Sequence, residues 1–125
     1  MLKTLLIVGI GGGVGSVLRY LTSVITDKYI QNVFPWATFL VNILGCVMIG
    51  ILLGWFTKQQ VENAELRLLF ITGFCGGFTT FSAFALENFK LFQSGNVLLA
   101  LLYIALTVVL GVLAVWIGML FSLSE

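Results

Sequence analysis

Four long apolar runs, 2–26, 34–57, 66–89 and 96–121, leave only short polar connections between them. Each is long enough to cross the ~30 Å hydrocarbon core of a bilayer as a helix. Only 9% of the residues are charged and 60% are hydrophobic, whereas a soluble domain carries roughly 25% charge. The expected fold class is therefore an all-α membrane protein: one domain, 1–125, with four transmembrane helices. Lys3 followed by an apolar stretch resembles a signal peptide. However, no small-residue cleavage site ends a short core and Arg19 interrupts the run, so a retained first helix is expected.

Composition removes several classes of function. A net charge of +1 gives no basis for nucleic-acid binding. There is no His, hence no imidazole acid–base or metal chemistry. Cys46 and Cys75 lie inside apolar runs without metal-type spacing, which suits buried free thiols. No nucleophile–base pair is visible, so the chain is not expected to be an enzyme.

The third run departs from a simple spanning helix. Gly73-Phe74-Cys75-Gly76-Gly77-Phe78-Thr79-Thr80-Phe81-Ser82-Ala83-Phe84 places three glycines and two β-branched threonines where a helix should be continuous, and both weaken it. A broken helix at membrane depth is tolerated only when buried in protein or lining a polar cavity. The stretch therefore marks a packing crossover or an ion site. In an unbroken helix Phe74, Phe78, Phe81 and Phe84 would share one face, with Thr80, Ala83 and Glu87 opposite.

The other runs carry isolated polar groups and small residues. In the first, Gly9-x-x-x-Gly13 and Gly11-x-x-x-Gly15 allow close helix packing, and Gly9, Gly13, Ser16, Tyr20 and Ser23 form one stripe. A dinucleotide fingerprint fails, because Ser16 takes the last glycine's place. Arg19 lies roughly 22 Å along the helix from Thr4. It either snorkels to the headgroups, forms an anion-attracting vestibule, or meets a partner at a helix end. Asn42 stands alone in the second run, as an interhelical hydrogen-bonding residue or as a donor to a passing anion. Pro35 suits the first turn there, and Gly50-x-x-x-Gly54 permits close packing. Glu62 and Glu65 suit the start of the third helix. Glu87 is expected near the boundary and solvated. In the fourth run Ala100, Tyr103, Thr107, Gly111, Ala114 and Gly118 form a stripe that buries against protein.

With four spans both termini share one side. Lys3, Lys58 and Arg67 then lie on that side, with Lys28 and Lys90 on the other and Arg19 near it. This near-balance gives no orientation bias, so insertion both ways and an antiparallel pair are expected.

The whole chain resembles the small bacterial fluoride channels called Fluc or CrcB. The resemblance is carried by Gly12-Gly13-Val14-Gly15-Ser16-Val17-Leu18-Arg19-Tyr20, by Thr38-x-x-x-Asn42-x-x-Gly45, and above all by Gly73-x-Cys75-Gly76-Gly77-Phe78-Thr79-Thr80-Phe81-Ser82-x-Phe84. It implies a fluoride-selective channel with two pores in an antiparallel dual-topology homodimer, passively exporting fluoride across the bacterial cytoplasmic (inner) membrane and protecting the cell. It implies Phe81 and Phe84 as pore phenylalanines, Asn42 as the pore asparagine, and Tyr103 and Thr107 as a polar track. It also implies a central structural Na+ held by the backbone carbonyls of Gly76 and Thr79 from both chains.

The residue types suit such a task. Asn42 offers N–H groups, and Thr79, Thr80, Ser82 and Thr107 offer hydroxyls. Phe rings present electropositive edges, which can line an anion path without a charge that holds the ion too tightly. Broken-helix carbonyls suit a hard cation. Two other readings compete. A small dual-topology multidrug exporter needs a membrane-embedded carboxylate, which the interiors of the first, second and fourth runs lack. A structural membrane subunit would pass no ions alone.

Overall fold

The computed structural model describes residues 1–125. Four stretches are long and apolar enough to cross a membrane: Leu2–Tyr29, Trp36–Lys58, Ala64–Gln93 and Val97–Ser124. The first two are α1 (Leu2–Tyr29) and α2 (Trp36–Lys58). The third comprises α3 (Ala64–Arg67), a wide π-helical stretch (Leu68–Cys75), α4 (Gly76–Phe78) and, beyond a break, α5 (Phe81–Gln93); the last span is α6 (Val97–Ser124). The helices run slightly past the expected boundaries, mainly at their C-terminal ends, because polar residues such as Asp27 and Lys28 continue a helix after the apolar signal stops. Pro35 lies one place earlier than expected: it is the residue before α2, and its carbonyl accepts from Phe39 N–H. Asn63 caps α3, its side chain accepting from Glu65 and Leu66 N–H. Gly95, at φ +82°, makes the tight turn before α6.

The spans pair through glycine. In lipid there is no hydrophobic force between apolar helices, so association depends on close contact and hydrogen bonds. A Cβ on Gly11 would collide with the Leu69 carbonyl, one on Gly15 with the Phe74 carbonyl, and one on Gly77 with the Gly12 carbonyl. Thus α1 meets the first half of the third span backbone to backbone. A matching seam joins α2 to α6, where a Cβ on Gly50 would collide with the Val115 carbonyl and one on Gly118 with the Val47 carbonyl. The Gly9–Gly13 stripe on α1 makes no close contact within the chain: both glycines have nothing within contact and Tyr20 is exposed. Gly11 and Gly15, the alternate pair, carry the contact. On α6 the expected stripe holds, with Ala100, Tyr103, Gly111, Ala114 and Gly118 buried.

A small aromatic core lies at the start of α2 and α6, against α5. Leu91, Ala100 and Tyr103 are buried, with Phe34, Phe39, Phe84 and Leu99 packed around them. The Tyr103 ring meets Phe84 edge-on at 5.0 Å and Phe34 at 5.1 Å between centroids. Lys3 pairs with Glu65 at 3.1 Å, which places the N-terminus beside the connection before the third span.

The seams make a graded prediction. Gly50→Ala should destabilise the protein by about 1–3 kcal/mol through overpacking. Gly111→Ala, whose new methyl meets only the Cys46 sulfur at 3.5 Å, should change stability far less. Thermal unfolding in detergent separates the two; equal melting temperatures would count against the α2–α6 seam.

Candidate functional site

The third span breaks at Thr79 and Thr80, both extended (φ −84°, ψ 160° and φ −149°, ψ 119°). A continuous helix would satisfy these backbone groups internally; here other residues do so. The Asn42 amide exchanges two bonds with Thr80: Nδ2 donates to its carbonyl at 3.1 Å, and the Thr80 N–H donates to Oδ1 at 2.8 Å. Both amide orientations are thereby fixed, and one Asn42 N–H remains without a protein partner. The Thr80 hydroxyl accepts from Ala83 N–H at 3.2 Å, capping α5, and lies 3.3 Å from the Ser82 hydroxyl. Thr79 turns inward, its N–H (3.0 Å) and hydroxyl (2.9 Å) both donating to the Cys75 carbonyl. Gly45 makes room for it, since a Cβ there would strike the Thr79 methyl.

A cavity of about 310 Å³ opens beside the break, lined by Asn42, Cys46, Thr79, Thr80, Phe81, Phe84 and Thr107 among others. The Thr107 hydroxyl is buried without a hydrogen-bond partner. It is a donor pointing at no acceptor of the chain. Phe81 and Phe84 lie 5.8 Å apart with planes tilted by 48°, and Phe81 is 78% exposed. The four phenylalanines do not form one stripe. The two extended residues rotate the second half out of phase, so Phe74 and Phe78 stack as a separate pair 6.2 Å apart.

A second cavity, about 240 Å³, is lined by Ser16, Arg19, Tyr20, Ser23, Thr38 and Thr80 among others. Thr80 thus borders both. Arg19 meets a partner at a helix end: its Nε donates to the Gly77 carbonyl at 3.1 Å, which also accepts from Ser16 Oγ at 3.4 Å. Thr38 leads onward. Its hydroxyl donates to Glu87 Oε2 at 2.8 Å, and the Tyr103 hydroxyl donates to Oε1 at 3.2 Å. Glu87 lines a third cavity of about 310 Å³ with Val33, Pro35, Lys90, Leu91 and Ser94. The expectation of a solvated Glu87 is therefore corrected: it is half-buried and held by two hydroxyls. Its position near the span's end suggested water, but α2 and α6 bring Thr38 and Tyr103 onto it. Tyr103 itself is fully buried; it lines none of the three cavities, and its hydroxyl reaches only Glu87.

Ser16, Thr38 and Cys46 at these cavities were not singled out from sequence as site residues. A signal existed: Ser16 lies one turn before Arg19, and Thr38 and Cys46 lie one turn either side of Asn42, on shared faces. No group of three or more Cys, Asp or Glu side chains could hold a metal. Carbonyls at the break are the donors that remain for a cation. The Thr80 N–H, four residues beyond Gly76, is turned away to Asn42, which frees the Gly76 carbonyl from its usual helical partner. That donor type fits a hard monovalent cation.

The fold and site define a small multi-pass helical membrane protein whose polar groups gather at a mid-span break. The family described as "CrcB-like protein, Camphor Resistance (CrcB)" matches residues 6–119, and the chain belongs to it. The chain is 50% identical over 121 residues to a "Fluoride-specific ion channel FluC" of Flavobacterium psychrophilum, covering 97% of this chain and 98% of that protein. It is 49% identical to a protein of the same name from Azobacteroides pseudotrichonymphae, over 94% of each. For that of Phocaeicola vulgatus the identity is 44%, over 97% and 99%.

The hydroxyl clamp on Glu87 should matter for stability. Tyr103→Phe removes a bond to a half-buried carboxyl and should lower stability by about 1–3 kcal/mol. Tyr20→Phe, at an exposed residue with no such bond, should be silent. Melting temperatures of the two variants in one detergent decide it, and equal values would remove the clamp.

Proposed function

We propose that the chain is a fluoride-selective channel that lets fluoride leave the cell passively across a bacterial inner membrane, and so protects against fluoride. The observation that carries this reading is the cavity at the break, with the partnerless Thr107 hydroxyl, the spare Asn42 N–H and the Phe81–Phe84 pair around it. The names of its relatives supply the ion. They also favour a channel over a multidrug exporter, although Glu87 is more embedded than its sequence position suggests.

A small anion gives up its water only to close donors. Asn42 is fixed by Thr80 so that its remaining N–H is available, and Thr107 can turn its proton toward an ion. Ring edges add weak positive potential without a full charge. At the other end, a bare carboxylate would repel fluoride. Thr38 and Tyr103 spend their protons on Glu87 and blunt that charge.

The reading includes an antiparallel dual-topology homodimer with two pores. Phe81 stands 78% exposed within a single chain, and a second copy would complete its surroundings. It also includes a structural Na+ held by the Gly76 and Thr79 carbonyls of both chains. The C-terminal end of the first half-helix carries partial negative charge that favours a cation; the ion would hold two such ends together.

Liposomes holding the purified protein should release fluoride and retain chloride. Phe81→Ile and Phe84→Ile should each slow fluoride release roughly tenfold, the loss of about one aromatic interaction. Asn42→Asp, which sets a carboxylate against the Thr80 carbonyl, should abolish it. Release of both halides alike by the native protein, or full release by all three variants, would overturn this reading.

Topology is tested separately. A single Cys placed in the 58–65 connection should be labelled from both sides of the membrane. Two Lys added there should fix one orientation, and two at Gln31 and Asn32 the other. Each variant alone should be inactive and the pair active together. Single-sided labelling of fully active native protein would exclude the antiparallel pair.

A further inference from the structure

Two side chains from different spans hold the break on opposite sides. Asn42 of α2 binds both backbone groups of Thr80. Arg19 of α1 donates from Nε to the Gly77 carbonyl at 3.1 Å, with the Ser16 hydroxyl at 3.4 Å on the same oxygen. Gly77 lies in the last turn of the first half-helix, where carbonyls lose their helical donors and concentrate partial negative charge. In hydrocarbon no water can replace those donors. The Gly12–Gly77 backbone contact keeps α1 close enough for Arg19 to reach.

We propose that Arg19 is a positioning residue: it caps the first half of the broken span through Nε, with Ser16 as second donor, and thereby sets the geometry of the pore. Its main contribution is this directed bond and not a free charge that draws anions inward. This deepens the fluoride-channel reading and rests on it. Two features of the bond support the assignment. It uses the inner nitrogen, whose position is fixed by the side-chain stem, and its acceptor is the carbonyl that offsets part of the guanidinium charge. Thr80, the residue positioned by the opposite brace, borders both the Arg19 cavity and the Phe81–Phe84 cavity, so a shift at the break is felt at the pore.

Side-chain lengths allow donor and charge to be separated. In Gln the amide nitrogen sits as many bonds from Cα as Nε does in Arg, so Arg19→Gln keeps the donor without charge. Arg19→Lys keeps the charge but puts a methylene in that place, and Arg19→Met supplies neither. Full-length variants would be reconstituted and fluoride release measured. The carbonyl carbon resonance of Gly77 would be followed in protein labelled at glycine carbonyls. Arg19→Gln should stay within about threefold of the native rate, while Arg19→Lys and Arg19→Met fall roughly tenfold or more, the loss of a hydrogen bond that leaves its carbonyl without a donor. The Gly77 resonance should hold in Arg19→Gln and shift in the other two. An Arg19→Lys protein as active as Arg19→Gln or more so, or an Arg19→Gln protein no better than Arg19→Met, would overturn the proposal. Failure of all three to fold has the same meaning, since the Gln donor would not have replaced Arg19. A native protein that passes no fluoride would instead remove the channel reading, and the order of the Gly77 resonances would still judge the brace.

Discussion

A backbone break in hydrocarbon needs hydrogen-bond partners from the protein itself, and this chain is built around supplying them. Hydrocarbon offers no partner to the freed groups of Gly77, Thr80 and Ala83 at membrane depth. Asn42, the Thr80 hydroxyl, Ser16 and Arg19 take them over. Three of these four come from α1 and α2, so the break is stable only while those helices stay within bonding distance. The glycine seams provide that proximity. A methyl in place of a hydrogen at Gly15 or Gly77 would separate α1 from the third span, and Arg19 would lose Gly77. Packing and polar satisfaction are therefore one constraint expressed in two residue types.

The same groups divide the site electrically. The end of α4 presents carbonyls, and the start of α5 lies at the cavity lined by Phe81 and Phe84. Helix ends of opposite sign thus sit two residues apart. Such an arrangement can favour a cation on one side and an anion on the other without any membrane-embedded charge pair. Glu87, the one carboxyl beside this track, is held by two hydroxyls. Asn42, Thr107, Arg19 and Glu87 gather along the cavities, and much of the outer surface is left to Leu, Val and Phe, as lipid requires. Leu98 and Val112 are 71% and 67% exposed.

The spans and the break were legible in the sequence because each has a local cause: apolar length for the spans, glycine and threonine for the break. Asn42, Thr80, Phe81, Phe84 and Thr107 were legible as cavity residues because a polar or aromatic side chain in such a setting needs a reason. Relations between spans were not legible. Glu87 looked solvated because its distance along the chain says nothing of Thr38 and Tyr103 arriving from two other helices. Helical spacing put four phenylalanines in line, and the extended residues at Thr79 and Thr80 split them into two pairs. For α1 the sequence offered two glycine pairs of equal spacing. Only the placement of the third span selects Gly11 and Gly15.

The π-helical stretch Leu68–Cys75 had no sequence signal, yet it bears on how such a chain can change over generations. A π turn holds one residue more than an α turn and is a common scar of a single inserted residue absorbed within a helix. One further residue there, with the π turn already taken up, would rotate everything beyond it by roughly 100°. Gly77 would leave Gly12 and Thr80 would leave Asn42. Lengthening or shortening the 58–65 connection moves none of these partners. Single-residue insertions among related chains should therefore collect in that connection and be purged from the eight residues that follow Arg67.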